Sequence, residues 1–435
     1  MTTRNGLRRT GVALLATATL AALPAVGPEA VASPVAAATA TADDAYAGTG
    51  RDWRGGWAAS PQAPTAPFGP NWSQQGFSDH TVRQVVRVST GGTRARIELS
   101  NRYGGTPLRI TGATVAKAAA GGAVRPGSVR QLTFGNSRSL TIPAGGTAHS
   151  DGVPFPVGAL ESVTVTLYLA GPTGPATFHH FAGATSYRAT GDHRSDVTGT
   201  AFTETSTSWY YLSGVEVSGG RDSRRRDGVV TFGDSVTDGV GSSTDADNRY
   251  PDELAERFVA AGRPRSVLNH GIGGNQVTND WAWAGEKGVA RFRKDVLSEP
   301  GVGTVILMEG LNDIGGSLPE AVGGPTPRVS VDRLIEGHRT LIRQAHARGI
   351  KVIGSTLTPI KGSFYDTPDN EARREAFNEW VRTSGAYDAV VDFDRVVSDP
   401  QDRHRILPAY DSGDHIHPGD AGYRAMAQAL DLDEL

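Results

Sequence analysis

The sequence runs to 435 residues, room for about two or three domains at the usual ~150 residues each. It contains no cysteine, which excludes a thiol nucleophile, Cys-ligated zinc and iron–sulfur chemistry; cores of this size make disulfides dispensable even outside the cell. Its 43 basic and 46 acidic residues nearly cancel, so global charge offers no case for a nucleic-acid partner.

The chain opens with the features of an export signal. Arg4, Arg8 and Arg9 precede an apolar stretch from Val12 to Leu23, and Ala30-Val31-Ala32 supplies a small-residue cleavage site. That apolar core is shorter than the ~20 residues a membrane span needs. Arg8-Arg9 permits twin-arginine export, although Thr10-Gly11 fits the general route better. Residues 1–32 therefore read as a signal peptide and the mature protein as secreted, without stable membrane insertion. Residues 33–52, rich in Ala, Thr and Gly, read as a flexible tether.

Residues 53–218 carry the pattern of an all-β domain. Thr81–Val88, Arg94–Leu99, Ser162–Leu169 and Gly214–Val217 largely alternate with period two, and Gly91-Gly92, Gly104-Gly105, Gly121-Gly122 and Gly145-Gly146 mark turns. Short strands separated by glycine turns indicate a sandwich or jelly roll. Trp53, Trp57 and Trp72 either stack on sugar rings, as in a carbohydrate-binding module, or anchor the sandwich core. Phe178-His179-His180-Phe181 and Asp192-His193 either reach a cleft across the domain interface or are structural, the commoner fate of such histidines. Residues 219–228, with Arg224-Arg225-Arg226, read as a solvated linker.

From Val229 the pattern alternates strand and helix. Strands are expected at 229–233, 266–269, 303–308, 351–356 and 389–393, with helices near 250–261, 285–298, 331–348, 368–384 and 418–430. Leu334, Leu341, Ile342 and Ala345 share one helix face, as do Tyr423, Met426, Ala427 and Leu430. Such alternation implies right-handed crossovers and a parallel sheet covered on both sides: an α/β domain over 229–435.

The residues that carry chemistry sit at the ends of these strands. Gly233-Asp234-Ser235 follows the first strand, where open α/β sheets present ligands. A serine hydroxyl is a poor nucleophile until a base takes its proton, and an imidazole suits that task. Asp414-His415-Ile416-His417-Pro418 lies just before the last helix. His417 is the expected base and Asp414 the acid that fixes its tautomer; His415, immediate neighbour of Asp414, ranks second because adjacent side chains diverge on an extended loop. Acyl transfer also needs donors aimed at the developing oxyanion. The glycine-rich loop 271–275 offers backbone N–H groups, Asn312 a side-chain amide, and Ser235 its own N–H.

Taken together, these blocks resemble the SGNH hydrolases, or GDSL esterases and lipases. Gly233-Asp234-Ser235 resembles the first block, Gly271-Ile272-Gly273-Gly274-Asn275 the second, Gly310-Leu311-Asn312-Asp313 the third, and Asp414 through Pro418 the last. Val236 replaces the leucine of the literal Gly-Asp-Ser-Leu signature. The resemblance covers 229–435 and implies a flavodoxin-like three-layer fold, Ser235 as nucleophile, Gly274 and Asn312 as oxyanion donors, and Asp414 and His417 completing the triad. It implies no metal or other cofactor. A β-sandwich ahead of such a domain is similar to secreted acetylxylan-esterase-like and lysophospholipase-L1-like members, which implies a small-molecule or polysaccharide ester as substrate. Glu309, before the third block, is expected to be a solvated strand-end residue; narrowing the site or contacting substrate are the other readings.

Lipid esters are the nearest alternative substrate. Asp234, Asp238, Asp313, Asp414, His415 and His417 offer ligands for a two-metal phosphoesterase, but the histidine expected in its Gly-Asn-His-Asp loop is missing. A carbohydrate-binding protein without activity would hold polysaccharide and cleave no ester. Neither a dinucleotide fingerprint nor a Walker lysine pattern is met.

Overall fold

A computed structural model describes residues 52–220, 226–316 and 328–435. The expected signal peptide, nearly all of the tether and Arg221–Arg225 of the linker lie outside the described residues.

The first half is a β-sandwich. One antiparallel sheet runs in the order 53–58, 212–218, 92–100, 147–149, with 153–157 also paired to 92–100. The other has six strands in the order 204–206, 186–190, 80–87, 162–169, 112–117, 130–132. Val82, Val86, Ile97, Leu99, Val163, Val165 and Val215 enter a single core between them, as period-two patterning requires. The alternation is incomplete because the outer face of His80–Arg87 is also covered. Arg83 is fully buried there, its guanidinium 4.1 Å over the Phe202 ring and bonded to the Gly122 and Asp196 carbonyls. Trp57 and Trp72 are buried in the sandwich core, Trp57 edge-on to Trp209 and Trp72 stacked on Tyr210. They anchor the domain and are not free to stack on a sugar.

The second half is α/β. Five parallel strands, Val267–Gly271, Gly228–Gly233, Val302–Met308, Lys351–Ser355 and Ala389–Val391, lie in that spatial order. In chain order this is 2-1-3-4-5, the flavodoxin-like arrangement, whose crevice opens between the first and third strands. Helices Tyr250–Ala260, Val331–His346, Pro368–Thr383 and Asp420–Ala429 fall close to their expected spans. Ser330 and Thr367 cap two of them by accepting the N–H of Arg333 and Asn370, and Pro368 takes the first helical position. The expected helix over 285–298 differs: Gly288–Phe292 is α-helical, and Arg293–Leu297 widens to a π-helix. Arg291 and Phe292 in the first segment and Asp295 and Val296 in the second are all buried.

The sandwich abuts the edge strand Val267–Gly271. Gly55 leaves room for Leu268, since a Cβ there would sit 2.5 Å from Leu268 Cδ1. Ser266 donates to the Gly55 carbonyl (2.6 Å), and the Val267 N–H donates to Ser89 Oγ (2.9 Å). Buried Ser60 bonds both His270 Nδ1 and Asp295 Oδ2 at 2.9 Å. At the junction, Arg54 pairs with Asp227 (2.8 Å), and the exposed Arg226 donates to the Val302 and Arg348 carbonyls.

Candidate active site

Ser235 begins a four-residue helical turn, Ser235–Asp238, directly after the first strand. Asp234 caps the turn by accepting the Val236 N–H (3.1 Å), and Gly239 ends it in the left-handed region. Close packing sets the glycines around it. A Cβ on Gly233 would meet the Met308 carbonyl oxygen at 2.0 Å, and one on Gly271 would meet the Asp238 nitrogen at 2.1 Å. The serine turn is thereby clamped between the ends of the two neighbouring strands.

The loop before the last helix brings His417 to this serine. His417 Nε2 lies 2.8 Å from Ser235 Oγ, and its Nδ1 lies 2.5 Å from Asp414 Oδ2. The other carboxylate oxygen of Asp414 accepts the backbone N–H groups of Ile416 (3.0 Å) and His417 (2.9 Å), which closes the loop. Burial resists ionisation of Asp414, yet the hydrogen bond and charge of His417 and those two N–H groups outweigh it. They hold the carboxyl well below the usual carboxylate range. His415 has φ +65°, and its ring turns instead to Asp411 (2.6 Å).

Two further loops leave the same sheet edge. Gly274, with φ +77°, follows the second strand, and a Cβ on it would collide with the Trp283 ring at 2.1 Å. Its neighbour Gly273 donates its N–H to Asp238 Oδ2 (2.8 Å). Asn312, after the third strand, donates one amide hydrogen to the Asn275 carbonyl (2.9 Å), while its Oδ1 accepts the Tyr365 hydroxyl (2.9 Å). Next to it, Asp313 accepts the N–H groups of Val277 and Thr278 and the Thr278 hydroxyl, tying the second and third loops together. Burial pushes the Asp313 carboxyl up to about 6 against these bonds.

Beneath the loops lies Arg291, almost fully buried. It donates to Asn275 Oδ1, the His270 and Gly233 carbonyls and Asp295, with its guanidinium 3.9 Å from the Phe232 ring centroid. Glu309 stands 3.5 Å from it. Contrary to the expectation of a solvated strand end, Glu309 is fully buried, packed against Gly288, and neither of its carboxylate oxygens has a partner within hydrogen-bond reach. Burial pushes it up to about 8, with Arg291 only partly offsetting this. Asp295 is the true counter-ion of Arg291: burial opposes its ionisation, but Arg291, His270 and Arg102 hold it below its ordinary value. Burial also raises Asp234, to about 7.

The residues proposed from sequence for a two-metal site do not converge. Asp238 is bound to His179 and Gly273, Asp313 to the 277–278 backbone, and His415 to Asp411. Among the described residues, the one acid–histidine group close enough to share an ion is Glu371, Glu375 and His404, a different set. Sequence reasoning missed Tyr365, Arg291 and Asp295. Tyr365 lies in an irregular segment with no periodicity, and an arginine in an amphipathic helix ordinarily marks its solvated face.

Residues 231–425 match the GDSL-like lipase/acylhydrolase family. The sequence has no significant match among curated proteins. Similar solved structures include an acetylxylan esterase from Geobacillus stearothermophilus, 21% identical, covering 48% of this chain and 94% of its own with TM-score 0.36. A lipase/acylhydrolase from Enterococcus faecalis is 20% identical over 47% of this chain and 92% of its own, TM-score 0.36. A GDSL-like lipase from Bacteroides thetaiotaomicron is 18% identical over 47% and 85%, TM-score 0.34. Residues 231–425 thus form a GDSL-like lipase/acylhydrolase domain, and the protein is an ester hydrolase.

Proposed function

We propose that this ester hydrolase works through Ser235, His417 and Asp414 by way of an acyl-enzyme, and that it deacylates carbohydrate or other small O-acyl esters outside the cell. One observation carries the triad: a single imidazole lies 2.8 Å from the serine hydroxyl and 2.5 Å from a carboxylate. His417 Nε2 takes the proton as Ser235 Oγ attacks the ester carbonyl, and Asp414 stabilises the imidazolium. The tetrahedral oxyanion receives hydrogen bonds from the Ser235 and Gly274 N–H groups and from the Asn312 amide. His417 then protonates the departing alcohol, and a water activated by the same imidazole releases the acid.

The export signal read in residues 1–32 and the β-sandwich ahead of the hydrolase domain support an extracellular polysaccharide or small-ester substrate. A lipid ester is the second possibility, and two exposed aromatic residues favour it. Phe68 lies edge-on to Trp283, which covers Gly274, and Phe364 packs on Tyr365, which holds Asn312. Rates on p-nitrophenyl acetate, butyrate and palmitate, beside acetylated xylan and a phospholipid, separate the two. Acetate and xylan lead under the first reading; palmitate and phospholipid lead under the second. EDTA leaves turnover unchanged if the serine mechanism operates, whereas loss of activity would indicate metal-assisted hydrolysis.

A further inference from the structure

The β-sandwich reaches the oxyanion loop through one buried histidine. His179, in the short strand pair Phe178–His179 with Trp209–Tyr210, is buried, and its Nδ1 faces the Ser60 carbonyl at 3.0 Å. Its Nε2 faces Asp238 Oδ1 at 3.0 Å, and the other oxygen of Asp238 accepts the Gly273 N–H at 2.8 Å. Both ring nitrogens thus point at acceptors, an arrangement fully satisfied only when both carry hydrogen. Phe181, two residues on, packs on the same loop: a Cβ at Gly273 would lie 2.5 Å from two of its ring carbons. Asp238 takes part in none of the proton transfers, and nothing in the chemistry of ester cleavage needs a histidine from the other domain.

We propose that His179 is a positioning residue for ester hydrolysis. It fixes the Asp238 carboxylate, which holds Gly273 and so sets the direction of the adjacent Gly274 N–H toward the oxyanion. The β-sandwich is then a working part of the hydrolytic site. A donor displaced by a fraction of an ångström weakens only the charged transition state, because the neutral ester carbonyl asks little of it. The role is therefore visible in kcat and not in KM.

The inference rests on the serine-esterase reading, and the two can fail separately. His179→Phe keeps a ring but removes the donor to Asp238, whereas His179→Gln keeps an N–H at matching reach. Each is assayed on p-nitrophenyl acetate and on the corresponding thionoester, whose sulfur is a poor acceptor and depends little on oxyanion donors. Both rates come from one protein sample, so partial unfolding cancels from their ratio. His179→Phe is expected to lower kcat on the oxygen ester about 10- to 100-fold with KM within about twofold, and to shift the oxygen-to-thiono ratio by a similar factor. His179→Gln is expected to recover most of the loss. Equal losses on both esters, or unchanged kcat, overturn the proposal; so does a Gln variant as impaired as Phe. Should His179→Phe not fold, Asp238→Ala removes the bridge itself and is read by the same ratio. An active Ser235→Ala enzyme would instead overturn the triad.

Discussion

The Tyr365 hydroxyl donates to Asn312 Oδ1 at 2.9 Å, and this bond decides which way the Asn312 amide faces. With the oxygen occupied by Tyr365 and one N–H by the Asn275 carbonyl, the second N–H is the one the proposed mechanism directs at the oxyanion. Tyr365→Phe is expected to lower kcat about tenfold with little change in KM, at a stability cost of ~1 kcal/mol. Steady-state kinetics and a urea melt check the two numbers; a change confined to KM would show that Tyr365 serves substrate binding instead.

Ser235→Ala, His417→Ala and Asp414→Ala should each lower kcat by ~10^4-fold or more, without additivity between them. Ser235 is half-buried and its truncation leaves no buried charge, so the thermal midpoint of Ser235→Ala stays close to that of the parent. Undiminished turnover by the Ser235 variant would end the triad assignment.

Asp414 also predicts a stability profile. Its native carboxyl is held below the unfolded value, so its contribution is complete above ordinary carboxylate pH and is lost as pH falls through the native value. The margin of the wild type over Asp414→Asn should therefore hold constant from neutral pH down to about 4 and close only in stronger acid. Denaturant midpoints across that range test it.

Glu309 has the opposite sign. Its pKa is raised to about 8 in the folded protein, so it stays protonated while the unfolded chain ionises, and stability drains away as pH climbs from about 4.5 to 8. Glu309→Gln removes that loss. The variant should gain on the wild type by a few kcal/mol, as an order of magnitude, between pH 5 and 8. A pH-independent difference would mean that Glu309 is ionised against Arg291.

Arg291 joins Gly233, His270, Asn275 and Asp295 through one buried guanidinium. Arg291→Met strands the Asp295 carboxylate and several carbonyls, and should cost about 3–5 kcal/mol in chemical denaturation. Arg291→Lys cannot reproduce the planar fork and is expected to recover only a part. A loss below ~1 kcal/mol for Met would show that water replaces the guanidinium.

Much of the α/β domain was legible because its central strands are buried apolar runs and its longer helices repeat an apolar face, as with Leu334, Leu341, Ile342 and Ala345. The glycine-bearing strand ends placed Ser235, Gly274 and Asn312 on one sheet edge for the same reason. What stayed hidden depends on contacts between distant segments. Glu309 reads as a solvated charge until Arg291, itself unremarkable in an amphipathic helix, is brought beside it by the helical turn Gly288–Phe292 packing on Glu309. Tyr365 carries no local pattern, and the partner of His179 lies 59 residues away in the other domain. Spacing along a chain reports which face a residue takes; it does not report which buried polar group waits opposite.

Ser60 is bonded at once to His270 and Asp295, the latter being the counter-ion of Arg291. A serine from the sandwich thus completes a polar knot at the heart of the hydrolase. Modules that hang on a tether can be shuffled between enzymes, since each half melts and evolves alone. Here recombination at residues 219–228 would leave unsatisfied groups on both sides of the cut. The two halves should therefore be inherited as a pair, and a substitution at Ser60 ought to be felt first by the catalytic half.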